Sequence, residues 1–319
     1  MTHISSTPFL DTAFDLTTLS FITVLLVLCI LSLCFIFHLR FKSRYSHHLQ
    51  RFNSLWTVRF LLVLFITLWS LNELLRLTVV REGYFYNLST NLSRSKQETL
   101  CKAHVVLSLG FFEPAFLVTL LFLVDVSIKK DTPSSLWAIG YVLSMCLPIL
   151  CLQVLFVFSK TDLLFWPHYF RRSYVVLSNS LSKDTVLCAY PLLSTIVFGA
   201  FGLGYSFWFI LSCWKVVSMV INNALRVRIY GLAFTVMISV PAQIVFLALS
   251  VVWKPEEPVY CVVALLVFLS SFACAVVGQG ILVIRPIADS LAAGKDFRRC
   301  NNRGTSRRLG DRGSLSENA

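Results

Sequence analysis

The residues best equipped for chemistry lie where a membrane-spanning segment would least tolerate them. Residues 69–77 read WSLNELLRL, near the end of an apolar run that begins at Thr57, and they include Asn72, Glu73 and Arg76. A further carboxylate, Glu113, interrupts the next apolar run beside Pro114. A charge at the centre of a bilayer costs about 2.5–3.5 kcal/mol on insertion scales. On a helix advancing about 100° per residue, Trp69, Asn72, Glu73, Arg76 and Val80 share one face, with Leu71, Leu74, Leu75 and Thr78 opposite. Glu73 and Arg76 are three apart and within pairing reach. Glu113 needs a proton or a donor. Two readings follow. A structural one has these groups fixing the second run to the third. A functional one has them forming a ligand- or ion-sensing cluster, the default for intramembrane ionisable residues.

The elements that must position this cluster follow from composition. The chain has 319 residues, 56% of them hydrophobic and 14% charged, with a mean hydropathy of +0.74. Soluble domains carry about 25% charge. Seven apolar runs, at 17–38, 57–79, 103–127, 136–158, 187–213, 229–252 and 259–285, each match the roughly 20 residues that cross a bilayer. The expected fold is an all-α membrane protein, a seven-transmembrane helix bundle. The expected division is an extracellular N-terminus (1–16), a seven-helix domain (17–285) and a basic cytoplasmic tail (286–319), mostly disordered after a short amphipathic helix built on Ile287, Leu291 and Phe297.

With the N-terminus outside, the inner segments 39–56, 128–135, 214–228 and 286–319 carry the greater share of Lys and Arg, so the positive-inside rule predicts N-out and C-in. The residues before the first run contain Asp11 and Asp15 without a basic residue, which reads as a retained helix rather than a cleaved leader. The sequons at Asn87 and Asn91 fall in the outer loop between runs two and three, where glycosylation requires them to be.

Of ten cysteines, Cys29, Cys34, Cys146, Cys151, Cys213 and Cys274 read as small hydrophobes within helices. Cys101 and Cys188 stand at outer ends, in an oxidising compartment under this topology, and are expected to pair. Cys261, also at an outer end, is the competing partner. Cys300 follows two arginines and is a palmitoylation candidate. Pro114, Pro148, Pro191 and Pro241 fall inside runs three to six and free the carbonyls of Gly110, Ser144, Leu187 and Met237. Glycines 199, 202 and 204 and the stretch SSFACAVVGQG let helices approach closely. The outer FWPHYFRRSY (165–174) reads as an aromatic and basic interface anchor, or as a lid over a ligand. The basic inner segments read as contacts for anionic membrane lipid.

No metal site is expected, because no cysteine pair has zinc-ligand spacing with a histidine. His38, His47, His48, His104 and His168 are scattered. No cofactor, no nucleic-acid partner and no enzymatic activity are expected, since Glu73 and Glu113 are the sole intramembrane carboxylate pair and Arg76 competes for one of them.

Seven helices with N-out topology and a cysteine pair from the third helix to an outer loop are similar to a G-protein-coupled receptor. The chain has no D-R-Y, C-W-x-P or N-P-x-x-Y element, so it departs from the rhodopsin-like class. At RFLLVLFITLWSLNELLRL, LCAYPLLSTIVFGAFG and IRPIADSLAAG it resembles a plant family of candidate G-protein-coupled receptors, over roughly residues 55–295. That resemblance implies a seven-helix bundle acting as a receptor. The expected partners are an unknown extracellular ligand and a heterotrimeric G protein or other cytoplasmic partner, and the expected location is the plasma membrane or an endomembrane of the secretory pathway. A neighbouring resemblance, to the tobamovirus multiplication proteins, implies a scaffold that recruits cytoplasmic partners. A transporter is a third reading, against which stands the lack of a visible repeat between runs one to three and five to seven.

Overall fold

A computed structural model describes residues 8–43, 55–77, 94–126, 134–158, 174–179, 182–253 and 257–289. Among the described residues seven helices are long and apolar enough to cross a membrane: Thr12–Phe41, Trp56–Leu74, Ser95–Val126, Ser135–Phe158, Leu192–Met219, Asn223–Val252 and Pro258–Asp289, called spans one to seven below. The chain is a multi-pass, all-α membrane protein in its helical architecture. Its one strand pair among the described residues is a hairpin of β1 (Tyr174–Asn179) and β2 (Ser182–Cys188), antiparallel, with Tyr174 opposite Cys188.

The third span is the central helix: 83% of its most apolar window is buried, against 28% for the first span and 22% for the fourth. Its buried residues, among them Phe116, Leu120 and Val124, join Leu62 and Ile66 of span two, Phe209 of span five, Val236 of span six and Phe268 of span seven in one continuous core. Spans one and four turn exposed apolar side chains outward, such as Val24, Ile30, Leu147 and Leu155. A helix apolar all round needs lipid on its outer side.

Small residues mark the closest approaches. A Cβ on Gly278 would lie 2.6 Å from Leu120 Cδ2, and one on Gly202 would lie 2.9 Å from Ile244 Cδ1. Amides join the remaining neighbours, as polar side chains do where a membrane supplies no competing water. Gln279 Nε2 of span seven donates to Ser32 Oγ of span one at 2.7 Å. Gln153 Nε2 of span four donates to the Ser194 carbonyl of span five at 3.0 Å.

Several boundaries differ from the sequence-based expectation. The first helix begins at Pro8 and ends at Ser43, longer than the run 17–38, so part of segment 1–16 is helical. Regular helix in span two ends at Leu74, not 79. The chain then tightens through the i→i−3 bonds Leu75 N to Asn72 O, Arg76 N to Glu73 O and Leu77 N to Leu74 O. Pro191 lies before span five rather than inside it. It is that helix's N-cap at φ −68° and ψ 143°, so it frees no carbonyl at Leu187, which belongs to β2. Proline disfavours helix in the residue before it and is well suited to a helix start. Spans five and six run through most of 214–228, leaving a link at 220–222, and Asn222 caps span six by accepting from Ala224 N at 2.9 Å. The expected amphipathic helix at 286 does not begin there. Residues 285–289 continue span seven, and Ile287 is buried in the bundle. Its remainder, with Cys300 and the rest of the tail, lies outside the described residues, as do Asn87, Asn91 and 165–173.

Candidate functional site

The polar cluster is built on a change of pitch in span three. Residues Ser108–Phe112 form a π turn, closed by Glu113 N donating to the Ser108 carbonyl five residues back. In a regular α-helix, residues five apart are about 140° out of phase. The i→i+5 bond of the π turn brings Ser108 and Glu113 onto one face. The turn directly precedes Pro114, whose ring would clash with the carbonyl at Gly110 in an α-helix. Gly110 itself permits the close packing of span four, since a Cβ there would sit 3.1 Å from Gln153 Cβ.

Glu113 is buried near the middle of the third span, roughly 20 Å from the Val126 end at about 1.5 Å per residue. This is deeper than a run starting at 103 implied, because the helix begins at Arg94. Three donors meet its carboxyl. Trp69 Nε1 donates to Oε1 at 3.1 Å, Ser108 Oγ lies 3.0 Å from the same oxygen, and Gln243 Nε2 of span six makes a short bond to Oε2. Trp69 is held for this role by stacking on Phe268 of span seven, with ring centroids 5.5 Å apart and planes 12° apart.

Ser108 also reaches span two. Its Oγ lies 3.1 Å from Glu73 Oε1, so one hydroxyl stands between the two buried carboxyls. Glu73 Oε2 is 3.8 Å from Arg76 Nε, the expected ion pair in a long geometry. The Arg76 guanidinium spends its direct hydrogen bonds elsewhere: Nη1 donates to the Ala264 carbonyl of span seven at 3.3 Å and to Tyr190 Oη at 3.5 Å. Asn72 Nδ2 donates to the His104 carbonyl at 3.1 Å. His104 Nδ1 lies 3.0 Å from the Asn72 carbonyl, which orients its Nε2 toward Glu73 Oε1 at 3.9 Å.

The structure therefore brings together all four sequence-derived cluster residues, Asn72, Glu73, Arg76 and Glu113. Sequence reasoning missed His104, grouped there with scattered histidines, and also Ser108, Gln243 and Tyr190. The amide of Gln243 within VPAQIVFL was the available signal. Ser108 gave none, because its alignment with Glu113 depends on the π turn. Among the described residues no group of three or more His, Cys, Asp or Glu has a metal-binding arrangement. The cluster answers its carboxylates with N–H and O–H donors.

Above the cluster, Cys101 and Cys188 form a disulfide with Cα atoms 5.2 Å apart. Cys261 is not disulfide-bonded. The bridge ties β2 to span three, and Tyr260 Oη of span seven donates to the Cys188 carbonyl at 3.0 Å. Lys102 Nζ lies 5.7 Å from the Tyr174 ring centroid. At the opposite end, Arg228 Nη1 of span six pairs with Asp289 Oδ2 of span seven at 2.6 Å.

These features define a seven-helix, multi-pass membrane protein with an internal polar cluster that joins spans two, three, six and seven. The chain belongs to the family described as Uncharacterised conserved protein UCP031277, whose model matches residues 4–299. No curated protein matches the chain.

Proposed function

We propose that this protein is a receptor-like seven-transmembrane signalling protein, oriented N-out and C-in, in the plasma membrane or an endomembrane of the secretory pathway. The observation that carries this reading is the buried cluster at Glu113, whose partners come from spans two, three and six and which lies below a hairpin tethered to span three. A site that draws its partners from several helices is sensitive to small changes in their relative position. The hairpin is where an extracellular ligand would act, and the ends of spans five to seven are where a heterotrimeric G protein or another cytoplasmic partner would respond. The distribution of Lys and Arg supports the orientation. The disulfide supports placing the hairpin in an oxidising compartment. The resemblance to plant candidate G-protein-coupled receptors points the same way. The scaffold reading draws instead on the basic inner segments and the tail.

Proximity labelling from the C-terminus in native membranes tests the assignment. The wild-type chain is compared with Glu113→Gln and with a tail variant carrying Arg→Gln from Arg298 to Arg312. Labelling of G-protein subunits that changes in Glu113→Gln is the result expected of a receptor. Labelling of trafficking or lipid-surface proteins that is lost in the tail variant and unchanged in Glu113→Gln would replace it with the scaffold.

A further inference from the structure

We propose that Glu73 and Glu113 share a single exchangeable proton through Ser108, making the centre of the bundle a proton-binding site. Such a site does not depend on any signalling role. A serine hydroxyl has one proton to donate, yet Ser108 Oγ lies 3.1 Å from Glu73 Oε1 and 3.0 Å from Glu113 Oε1. Donation to one carboxylate leaves the other oxygen facing the hydroxyl's lone pairs. One added proton resolves this: the protonated carboxyl donates to Ser108, and Ser108 donates to the other.

Charge balance points to the same count. Glu73, Glu113 and His104 are each buried to 3% exposure or less, and the Arg76 side chain is 13% exposed. Span two contributes Glu73 and Arg76, and span three contributes His104 and Glu113. Span six contributes Gln243, which carries no charge. Tyr190 and Tyr260 are phenols, and the buried Cys274 of span seven is a thiol. With Arg76 charged, two ionised carboxylates and a neutral imidazole leave one negative charge uncompensated in a low-dielectric interior, an expensive state. One proton brings the cluster to neutrality.

The proton has two places. When Glu73 Oε1 gives its proton to Ser108 Oγ, Ser108 gives its own proton to Glu113 Oε1. Glu73 becomes the carboxylate beside Arg76, Glu113 becomes the acid, and the net charge is unchanged. His104 Nε2 lies 3.9 Å from Glu73 Oε1, one turn from Ser108 toward Cys101.

Infrared spectroscopy of the full chain in lipid nanodiscs, recorded from acidic to alkaline pH, tests the proposal through the carbonyl stretch of a protonated carboxylic acid. The wild-type chain should show one such buried band at neutral pH. Glu73→Gln and Glu113→Gln should each abolish it at neutral pH, because each removes the surplus charge. Ser108→Ala should keep the band at a shifted frequency. Circular dichroism identifies variants that remain folded. A band that survives Glu73→Gln would place the proton on Glu113 alone and overturn the sharing. So would an unshifted band in Ser108→Ala, and a folded wild-type chain without the band would overturn the site.

Discussion

Ser108 and Glu113 are five residues apart, yet Ser108 Oγ lies 3.0 Å from Glu113 Oε1, because a π turn occupies the residues between them. Ser108 also meets Glu73, so it is the direct polar contact by which the carboxyl of span two reaches that of span three. Ser108→Ala removes both contacts while leaving the buried carboxyls in place. The expected loss is about 1–3 kcal/mol, the usual cost of leaving a buried polar group without its partner. It should be read from thermal or denaturant unfolding in detergent, with Thr119→Ala as a control. Among the described residues the Thr119 hydroxyl bonds to the Ala115 carbonyl of its own helix, so the loss of that hydrogen bond should leave no buried carboxyl without a donor.

Arg76 compensates the negative charge of Glu73 and binds span seven through the Ala264 carbonyl. Arg76→Ala should destabilise the fold by about 3–5 kcal/mol, the range for stranding one partner of a buried pair, and lower the amount of folded chain in the membrane. Arg76→Ala combined with Glu73→Gln should recover part of that loss. The yield of folded protein from the membrane fraction and unfolding midpoints measure both effects. Normal yield and stability of the single variant would show that the arginine is not needed to compensate Glu73.

The disulfide joins residues 87 apart in sequence. A loop of that length gives a chain-entropy stabilisation of about 4–5 kcal/mol. Cys101→Ser, Cys188→Ser and the double variant should therefore share one phenotype and one unfolding midpoint. Thiol labelling without reductant that modifies both cysteines in the wild-type chain would reject the bridge.

At Gly110 spans three and four are in contact. An added Cβ meets Gln153 Cβ and Cγ at 3.1 Å and Leu150 Cα at 3.4 Å. Gly110→Val should cost about 1–3 kcal/mol by overpacking, measurable as a lower thermal midpoint. Gly204→Val should not, because a Cβ at Gly204 meets nothing within 4 Å.

The helical architecture was legible because run length and apolar composition are set by the bilayer itself, as the seven spans show. The face carrying Trp69, Asn72 and Glu73 was legible because span two keeps a regular pitch as far as Leu74: these three are buried while Leu71 is 45% exposed, and Arg76 follows in the tightened turn beyond. The partners of Glu113 were not. Ser108 comes into phase through five-residue bonding, which a 3.6-residue period conceals. Gln243 meets Glu113 from a residue 130 positions away, a contact no local pattern encodes. Hydropathy also misplaced the ends. VLC at 186–188 is as apolar as the helix after it, yet it pairs as a strand. Helices five and six leave the apolar zone and continue, because backbone hydrogen bonding does not require apolar side chains.

The receptor role proposed for this chain requires that a change at Glu113 reach the far ends of spans six and seven, where Arg228 pairs with Asp289. The most direct measurement is hydrogen exchange in nanodiscs, comparing the wild-type chain with Glu113→Gln across 223–232 and 280–289, with 20–30 of span one as the internal reference. Faster exchange in the two distal segments with an unchanged reference is the predicted result. Unchanged protection at 223–232 and 280–289 in a folded Glu113→Gln protein would contradict the claim and leave the cluster as a local brace between helices.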